Sequence, residues 1–357
     1  MANSRDISFA TFNLYNLHLP GEQIYSDRDG WTNDEFERKL DWSARQLIEA
    51  DADVIGFQEC WRREALERIF ERAGLADGYE ILARDQDPAT IQVALAARKG
   101  LIASEPLWIE AFPEDARFEE LKEAREPHEM VSVTISQFSR PPLKVTIQPR
   151  GRRPKPPPIT VYVAHFKSKG PTRLRRHANT PAVQDNHYGI AQSVVSHIRR
   201  IAEAGALRAI LDTEMKGNDA PFVVMGDLND GSLSISTELL SGDPGYRFFE
   251  KSRAGSRSDR GLYSVERLQQ LRSLRHVYFT HIYKEKMESL DHILVSDAFY
   301  DHAANRLWSF REMTVVTDHL VLDSKRERSK IGANDHGIVR ADFDWNPMSE
   351  VLDEAPA

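Results

Sequence analysis

The chain has 357 residues, 41% of them hydrophobic and 29% charged, with a formal net charge of −8. This is the balance of a globular chain with apolar content for one large core or two ordinary ones. It excludes a membrane-spanning helix, since no apolar run is long enough, excludes an internal disulfide or a cysteine-rich zinc site, since Cys60 is alone, and argues against a general nucleic-acid coat protein.

Met1 to Asp6 carries no basic-then-apolar leader, so a cytoplasmic location is expected. Asp6 to Phe12 alternates as a strand, with Ile7, Phe9 and Thr11 on one face, and Asn13 follows it. Tyr15 to Trp31 lacks periodicity and reads as a loop. Thr32-x-x-Glu35 is a capping box, and the helix behind it puts Phe36, Leu40, Ala44, Leu47 and Ile48 on one stripe. Asp53 to Phe57 is the next strand and delivers Gln58 and Glu59. Trp61 to Ala73 is a helix with Leu66, Ile69, Phe70 and Ala73 inward and Gly74 as its stop. Strands follow at Tyr79 to Ala83, Ile91 to Ala97 and Met130 to Ser136, with the acidic stretch Glu105 to Glu129 as a surface excursion.

Leu143 to Ile147 and Ile159 to Ala164 read as two more strands, joined by a stiff, basic, proline-rich loop over 148–158. His165, Lys167 and Lys169 come next, inside a run from Arg140 to Arg176 that holds eleven Lys and Arg and no acid. A long helix from Tyr188 to about Leu211 groups Ile190, Val194, Ile198, Ile201 and Leu211 near one face. Phe222 to Met225 is a short apolar run, the mark of a buried strand; it stops at Gly226, and Asp227 and Asn229 point the same way off its end. Gly242 to Gly261 is loop-like, Val265 to Leu274 helical, and Leu290 to Val295 a strand that opens with Asp291-His292. Asn334-Asp335-His336 precedes a closing strand, Gly337 to Phe343. Loose alternation of strands and helices, with several strands lacking a crossover helix, predicts a mixed sheet or two packed sheets with helices outside. The simplest division is one domain over 1–345, an insertion near 148–158 and an acidic tail at 346–357.

Strand ends thus deliver Asn13, Glu59, His165, Asp227 with Asn229, and Asp335 with His336, while Asp291 begins another strand. Such positions can converge on one rim of a sheet. Oxygen ligands with imidazole and no thiolate suit a hard divalent cation, magnesium or manganese. The chain has no His-Glu-x-x-His, no Gly-x-Ser-x-Gly, no phosphate-cradling glycine loop and no EF-hand. A metal, a carboxylate that orients water, and imidazoles that meet developing charge fit phosphoester hydrolysis. Each residue also has an ordinary reading. Asn13 can end a strand in a turn, Glu59 can cap a helix, and a charge run such as Lys167, Lys169, Arg173, Arg175 and Arg176 can be a solvated face. Of four Asp-His pairs, at 291, 301, 318 and 335, only the last directly precedes a closing strand; Asp318-His319 is its rival. Tyr162, Tyr188 and Tyr283 are candidates for base stacking and equally for the core.

The chain resembles the endonuclease/exonuclease/phosphatase superfamily of magnesium-dependent phosphoesterases, which includes the DNase I-like nucleases. The resemblance rests on six stretches in the family's order: Phe9-Ala-Thr-Phe-Asn13-Leu-Tyr-Asn, Asp51-Ala-Asp-Val-Ile-Gly-Phe-Gln-Glu59, His165-Phe-Lys-Ser-Lys-Gly170, Met225-Gly-Asp-Leu-Asn229, Ser289-Leu-Asp-His-Ile293 and Asn334-Asp-His336. The third and fifth are similar to bacterial nuclease-type members. The resemblance implies a four-layer α/β sandwich, two mixed sheets face to face with helices outside. It implies that Glu59 holds Mg²⁺ (or Mn²⁺) with Asn13 and Asp335 beside it, and that Asp227 orients or deprotonates the attacking water. Asn229 would help place the phosphate or that aspartate. His336, oriented by Asp291, would donate to a phosphate oxygen, and His165 would be a second donor. Lys167, Lys169 and Arg173 would meet a polyanion, DNA first and RNA second; the other reading is an inositol-phosphate or phospholipid phosphoesterase, and a non-catalytic binding protein on the same scaffold comes third. Ala164 before His165, Asn334 before Asp335 and Gly337 after His336 depart from the common pattern.

Overall fold

The computed structural model describes residues 6–26, 29–86, 89–116, 118–119, 132–174, 185–256, 260–273, 279–321 and 325–348. In chain order the elements are β1 (Ile7–Leu17), α1 (Asn33–Ala50), β2 (Val54–Cys60), α2 (Arg63–Arg72), β3 (Tyr79–Leu82), β4 (Gln92–Arg98), β5 (Leu107–Trp108), β6 (Phe118–Glu119), β7 (Ser132–Val133), β8 (Leu143–Ile147) and β9 (Ile159–His165). Then come α3 (Asp185–Met215), β10 (Phe222–Asp227), α4 (Ile235–Ser241), β11 (Leu262–Ser264), α5 (Val265–Arg272), β12 (His281–Tyr283), β13 (Lys286–Glu288), β14 (Asp291–Ser296), β15 (Trp308–Val316), α6 (Lys325–Ile331) and β16 (Ile338–Trp345).

Twelve of the strands form two six-stranded sheets, ordered β15-β16-β1-β2-β4-β3 and β11-β14-β10-β9-β8-β5. Both are mixed, and their inner strands repeat one device: β1 lies parallel to β2 and antiparallel to β16, and β10 lies parallel to β9 and antiparallel to β14. Because strand side chains alternate, every second residue enters the core between the sheets. Ile7 and Phe9, Val54, Val161 and Val163, Val223 and Met225, Ile293 and Val295 meet there. The other parity faces helices. Phe12, Ile55 and Phe57 pack under Phe36, Leu40 and Leu47 of α1 and Leu66, Ile69 and Phe70 of α2. Tyr162, Phe222 and Val224 pack under Ala202, Leu207 and Leu211 of α3. The result is the expected four-layer sandwich. The sheets approach closely at Gly56, where an added Cβ would lie 3.1 Å from Met225 Cε and Val163 Cγ1.

Several local expectations need correction. β1 continues to Leu17 instead of yielding to a loop after Asn13; its register against β2 shifts between Asn13 and Leu17, which erases the period-two signal. Ile48 is 56% exposed and leaves the inward stripe of α1. On α3, Ile190, Val194, Ile198 and Ile201 face outward, and only Leu211 of that predicted face is buried. The inward face carries Ser196, Arg200 and Glu203, all buried and bonded to loops at the site, beside Ala202, Leu207 and Leu211, which pack on the sheet. β15 has no counterpart among the predicted strands: a register irregularity between Phe310 and Glu312 breaks its alternation. Of the predicted strand Met130 to Ser136, residues 130–131 lie outside the described residues, and only β7 is extended, paired with β6. Most of the acidic tail lies outside the described residues as well.

Candidate active site

The inward parity of each central strand ends in a polar group. Ile7, Phe9 and Thr11 lead to Asn13; Ile159, Val161 and Val163 lead to His165; Val223 and Met225 lead to Asp227. β14 runs the other way, so Asp291 opens the row that continues in Ile293 and Val295. Parallel pairing sets Asp227 beside His165, and antiparallel pairing sets it beside Asp291. Both sheets therefore deliver their polar ends to one rim.

The side chains meet there. Asn13 Nδ2 donates to Asp227 Oδ2 at 3.1 Å, a bond between the two sheets. The Asn229 backbone N–H donates to Asp227 Oδ1 at 2.8 Å, and Asn229 Nδ2 donates to the Phe166 carbonyl at 3.1 Å. His336 Nδ1 lies 2.8 Å from Asp291 Oδ2, and its Nε2 faces Asp227 Oδ2 at 3.8 Å. His165 Nε2 approaches the same oxygen at 3.6 Å. Asn13, Asp227, His165 and Asp291 are at most 3% exposed, so these contacts are shielded from water.

Glu59 has the wrong parity for this rim, since Ile55 and Phe57 face the helices. A left-handed backbone at Glu59 (φ 59°) and a register shift between Phe57 and Cys60 bring it round. Its Oε2 accepts from the Asn16 N–H at 2.8 Å. Asn334, fully buried, donates from Nδ2 to the Asn13 carbonyl and accepts from Lys39 Nζ, both at 2.8 Å. This ties the loop carrying Asp335 and His336 to β1 and α1, and gives the unusual asparagine a structural role.

Electrostatics follow from burial and neighbours. Burial raises the Asp227 carboxyl to about 7 despite the opposing His336 charge. Burial and the charge of Asp335 raise Glu59. Burial alone would lower His336, but Asp291 and Asp227 outweigh it and hold the ring well above its ordinary value, as an imidazolium. Burial, Arg140 and His336 push His165 well below its ordinary value, so it stays neutral.

Among the described residues two groups could hold a divalent ion. Asp227, Asp291 and His336 have ligand atoms within 4.8 Å of one another. A protonated His336 whose Nδ1 is already engaged by Asp291 is a poor ligand, because metal binding needs a free ring nitrogen. Glu59 and Asp335 are the better pair: two carboxylates close enough to repel, both half-buried, which a hard cation would relieve.

The basic run behaves unevenly. Lys167 turns its ammonium onto the Ser168 hydroxyl and the Gly170 carbonyl, each at 3.1 Å. Lys169 pairs with Glu288 at 2.8 Å and Asp230 at 3.7 Å, so its charge is spent within the protein. Arg173 is exposed, and Arg175 and Arg176 lie outside the described residues. Sequence reading missed Arg140, whose charge reaches both Glu59 and His165 and whose Nη1 donates to the Phe166 carbonyl at 3.0 Å. Its signal was its place at the head of the acid-free run, next to the strand that pairs with β9. His281 was also missed; its ring lies 4.9 Å from that of His336. The rival His319 is buried against Trp42, with Nε2 2.8 Å from the His336 carbonyl, and supports the site loop from behind. Tyr162 is core, half-buried Tyr188 gives its hydroxyl to the Leu174 carbonyl, and Tyr283 is exposed on β12.

The family model of the endonuclease/exonuclease/phosphatase family matches residues 10–319. No curated protein sequence matches. Among solved structures, an endonuclease/exonuclease/phosphatase family protein from Bacteroides thetaiotaomicron has the same fold at 14% identity and a TM-score of 0.52, covering 95% of each chain. Humanized D. rerio TDP2 gives 14% identity and 0.52, covering 95% of this chain and 98% of its own. D. rerio TDP2 complexed with single strand DNA product gives 14% and 0.51 over the same shares. With a family model that spans most of its length and a fold shared end to end with these proteins, this chain belongs to the endonuclease/exonuclease/phosphatase family.

Proposed function

We propose that the protein is a divalent-metal-dependent phosphodiesterase that hydrolyses nucleic acid, DNA before RNA. The observation that carries this reading is the buried chain Asn13–Asp227 and His336–Asp291, which joins the ends of both sheets at one rim. Asp227, held by Asn13 and the Asn229 N–H, would orient a water and take its proton as the water oxygen bonds to phosphorus and the phosphorus–oxygen bond opposite breaks. His336, charged and aimed by Asp291, would donate Nε2–H to a non-bridging phosphate oxygen. His165 would supply a second, neutral donor, and Arg140 a fixed positive charge. Magnesium or manganese held by Glu59 and Asp335, with Asn13 nearby, would neutralise charge on the phosphate and the leaving oxygen. That TDP2 is recorded with a single-strand DNA product on the same fold makes nucleic acid the first substrate to test. The neutralised Lys169 favours keeping small phosphoesters in view.

The test is cleavage of supercoiled and linear DNA with Mg²⁺, with EDTA as control, beside a panel of inositol phosphates and phospholipids. Asp227→Ala and His336→Ala should each lower hydrolysis by about 100-fold or more while the circular dichroism spectrum is kept. Cleavage surviving both substitutions, or a wild type that turns over only the small phosphoesters, overturns the assignment.

A further inference from the structure

Beside the proposed metal pair lies a cavity of about 190 Å³, lined by Tyr15, Trp31, Glu35, Lys39 and Arg328 and reaching Asp335. We propose that this cavity receives one unpaired nucleobase next to the reacting phosphate, so that the substrate class is single-stranded nucleic acid or an unpaired end. The inference rests on the nuclease reading and specifies its substrate.

Four observations support it. The first is position. Asp335 belongs to both the cavity wall and the site, and the Tyr15 N–H donates to Asn13 Oδ1 at 2.9 Å, so a group in the cavity is within one nucleotide of the chemistry. The second is the aromatic wall. Tyr15 and Trp31 are both half-buried, with ring centroids 5.8 Å apart, and sequence-tolerant stacking on such rings is how single strands are held. The third is rigidity. Trp31 Nε1 donates to the Asn16 carbonyl at 2.8 Å, and the buried Lys39 ammonium lies 5.3 Å from the Tyr15 ring and 5.1 Å from the Trp31 ring. The fourth is charge. Among the described wall residues Asp29, Glu35 and Asp335 stand against Lys39 and Arg328, and Lys39 is already engaged by Asn334, so these residues form no basic cradle for a second phosphate. The volume suits one flat ring system and not a base pair, so a duplex would have to release its base first.

The experiment compares wild type, Trp31→Ala and Trp31→Phe on a single-stranded oligonucleotide, its duplex, and the same strand with one base removed at each position flanking the cleavage site. Removing the base at one flanking position should lower wild-type kcat/KM by about 10- to 100-fold. Trp31→Ala should lose a similar factor on the intact strand and lose little further on the strand lacking that base, while Trp31→Phe recovers most of it. Fluorescence anisotropy in EDTA should show the same pattern in binding of the labelled strands, independent of turnover. A wild type that cuts DNA equally with and without each base, or prefers the duplex, overturns this inference alone, and does so even if Trp31→Ala fails to fold. Equal impairment of Trp31→Ala on both strands does the same. A wild type that cuts no oligonucleotide but hydrolyses inositol phosphates or phospholipids overturns the nuclease reading and, with it, the base in this cavity.

Discussion

Four side chains at the rim sit on backbone that most residues avoid. Tyr15, Asn16, Glu59 and Asn229 have φ of 50°, 54°, 59° and 55°, half of the eight non-glycine residues with positive φ among the described residues. Each such residue costs on the order of 1–3 kcal/mol and persists only where its surroundings hold it. Here the holding bonds are visible: Asn16 N–H to Glu59, Tyr15 N–H to Asn13, Asn229 N–H to Asp227. The strain therefore does geometric work, turning Glu59 toward Asp335 and fixing the end of β1. Arg140 is the other residue at this scale with a defined expectation. Its Nε is buried without a hydrogen-bond partner, and its charge acts on both Glu59 and His165. Arg140→Ala should lower kcat/KM by about 100-fold with little change in thermal stability, and Arg140→Lys should recover only part, because a point charge cannot replace the planar fork. An unchanged kcat/KM in Arg140→Ala would remove it from the site. Asn13, His165, Asp227 and His336 were legible residue by residue because each follows or precedes an apolar run. Arg140, Trp31 and Tyr15 were not, because nothing local separates an arginine or an aromatic at a site from one in a loop.

Among the elements, β10 and α3 set the constraints. Gly226 has φ 146°, and a Cβ there would lie 1.9 Å from the Ala164 carbonyl oxygen on β9. Close approach of the two parallel strands is what seats Asp227 beside His165. Gly226→Ala should destabilise the protein by about 3 kcal/mol or more, read as a fall in the urea midpoint, since overpacking and backbone strain add. A change below about 0.5 kcal/mol would mean that β9 and β10 can part without cost. α3 shows a different constraint. Its buried polar row holds the site's loops: Glu203 accepts from the Lys167 N–H at 2.7 Å and the Ser139 N–H at 2.9 Å, and Arg200 donates to the Lys167 carbonyl at 3.0 Å. These bonds pin the backbone on which Arg140 and Lys167 stand. A stripe rule assigns the apolar face of a helix inward. It failed over the first half of α3 because buried partners for loop backbone, which cannot be left unpaired, outrank the burial of Ile190, Val194, Ile198 and Ile201.

For the whole molecule, the two sheets make a charge problem that a cation would resolve. Glu59 and Asp335 repel each other at the rim, and burial adds to the cost. Magnesium or manganese should therefore raise the melting temperature of the wild type by a few degrees, EDTA should reverse the rise, and Glu59→Gln should reduce it. An equal shift in wild type and Glu59→Gln would place the ion elsewhere, with the Asp227, Asp291 and His336 group as the remaining choice.

Sequence alone determined most of the strands, that Asn13, His165 and Asp227 stand at strand ends, and the layered α/β class that follows from them. It did so because an apolar run and the polar residue that ends it are local properties. Only the tertiary structure decided that the two sheets meet at the same rim, that Glu59 swings out of parity, that His319 backs the site loop while His336 faces Asp227, as its place before the closing strand suggested, and that Trp31 and Tyr15 wall a cavity beside Asp335. Those facts depend on register shifts, left-handed residues and contacts between positions as distant as Asn13 and Asn334, for which neighbouring residues carry no signal.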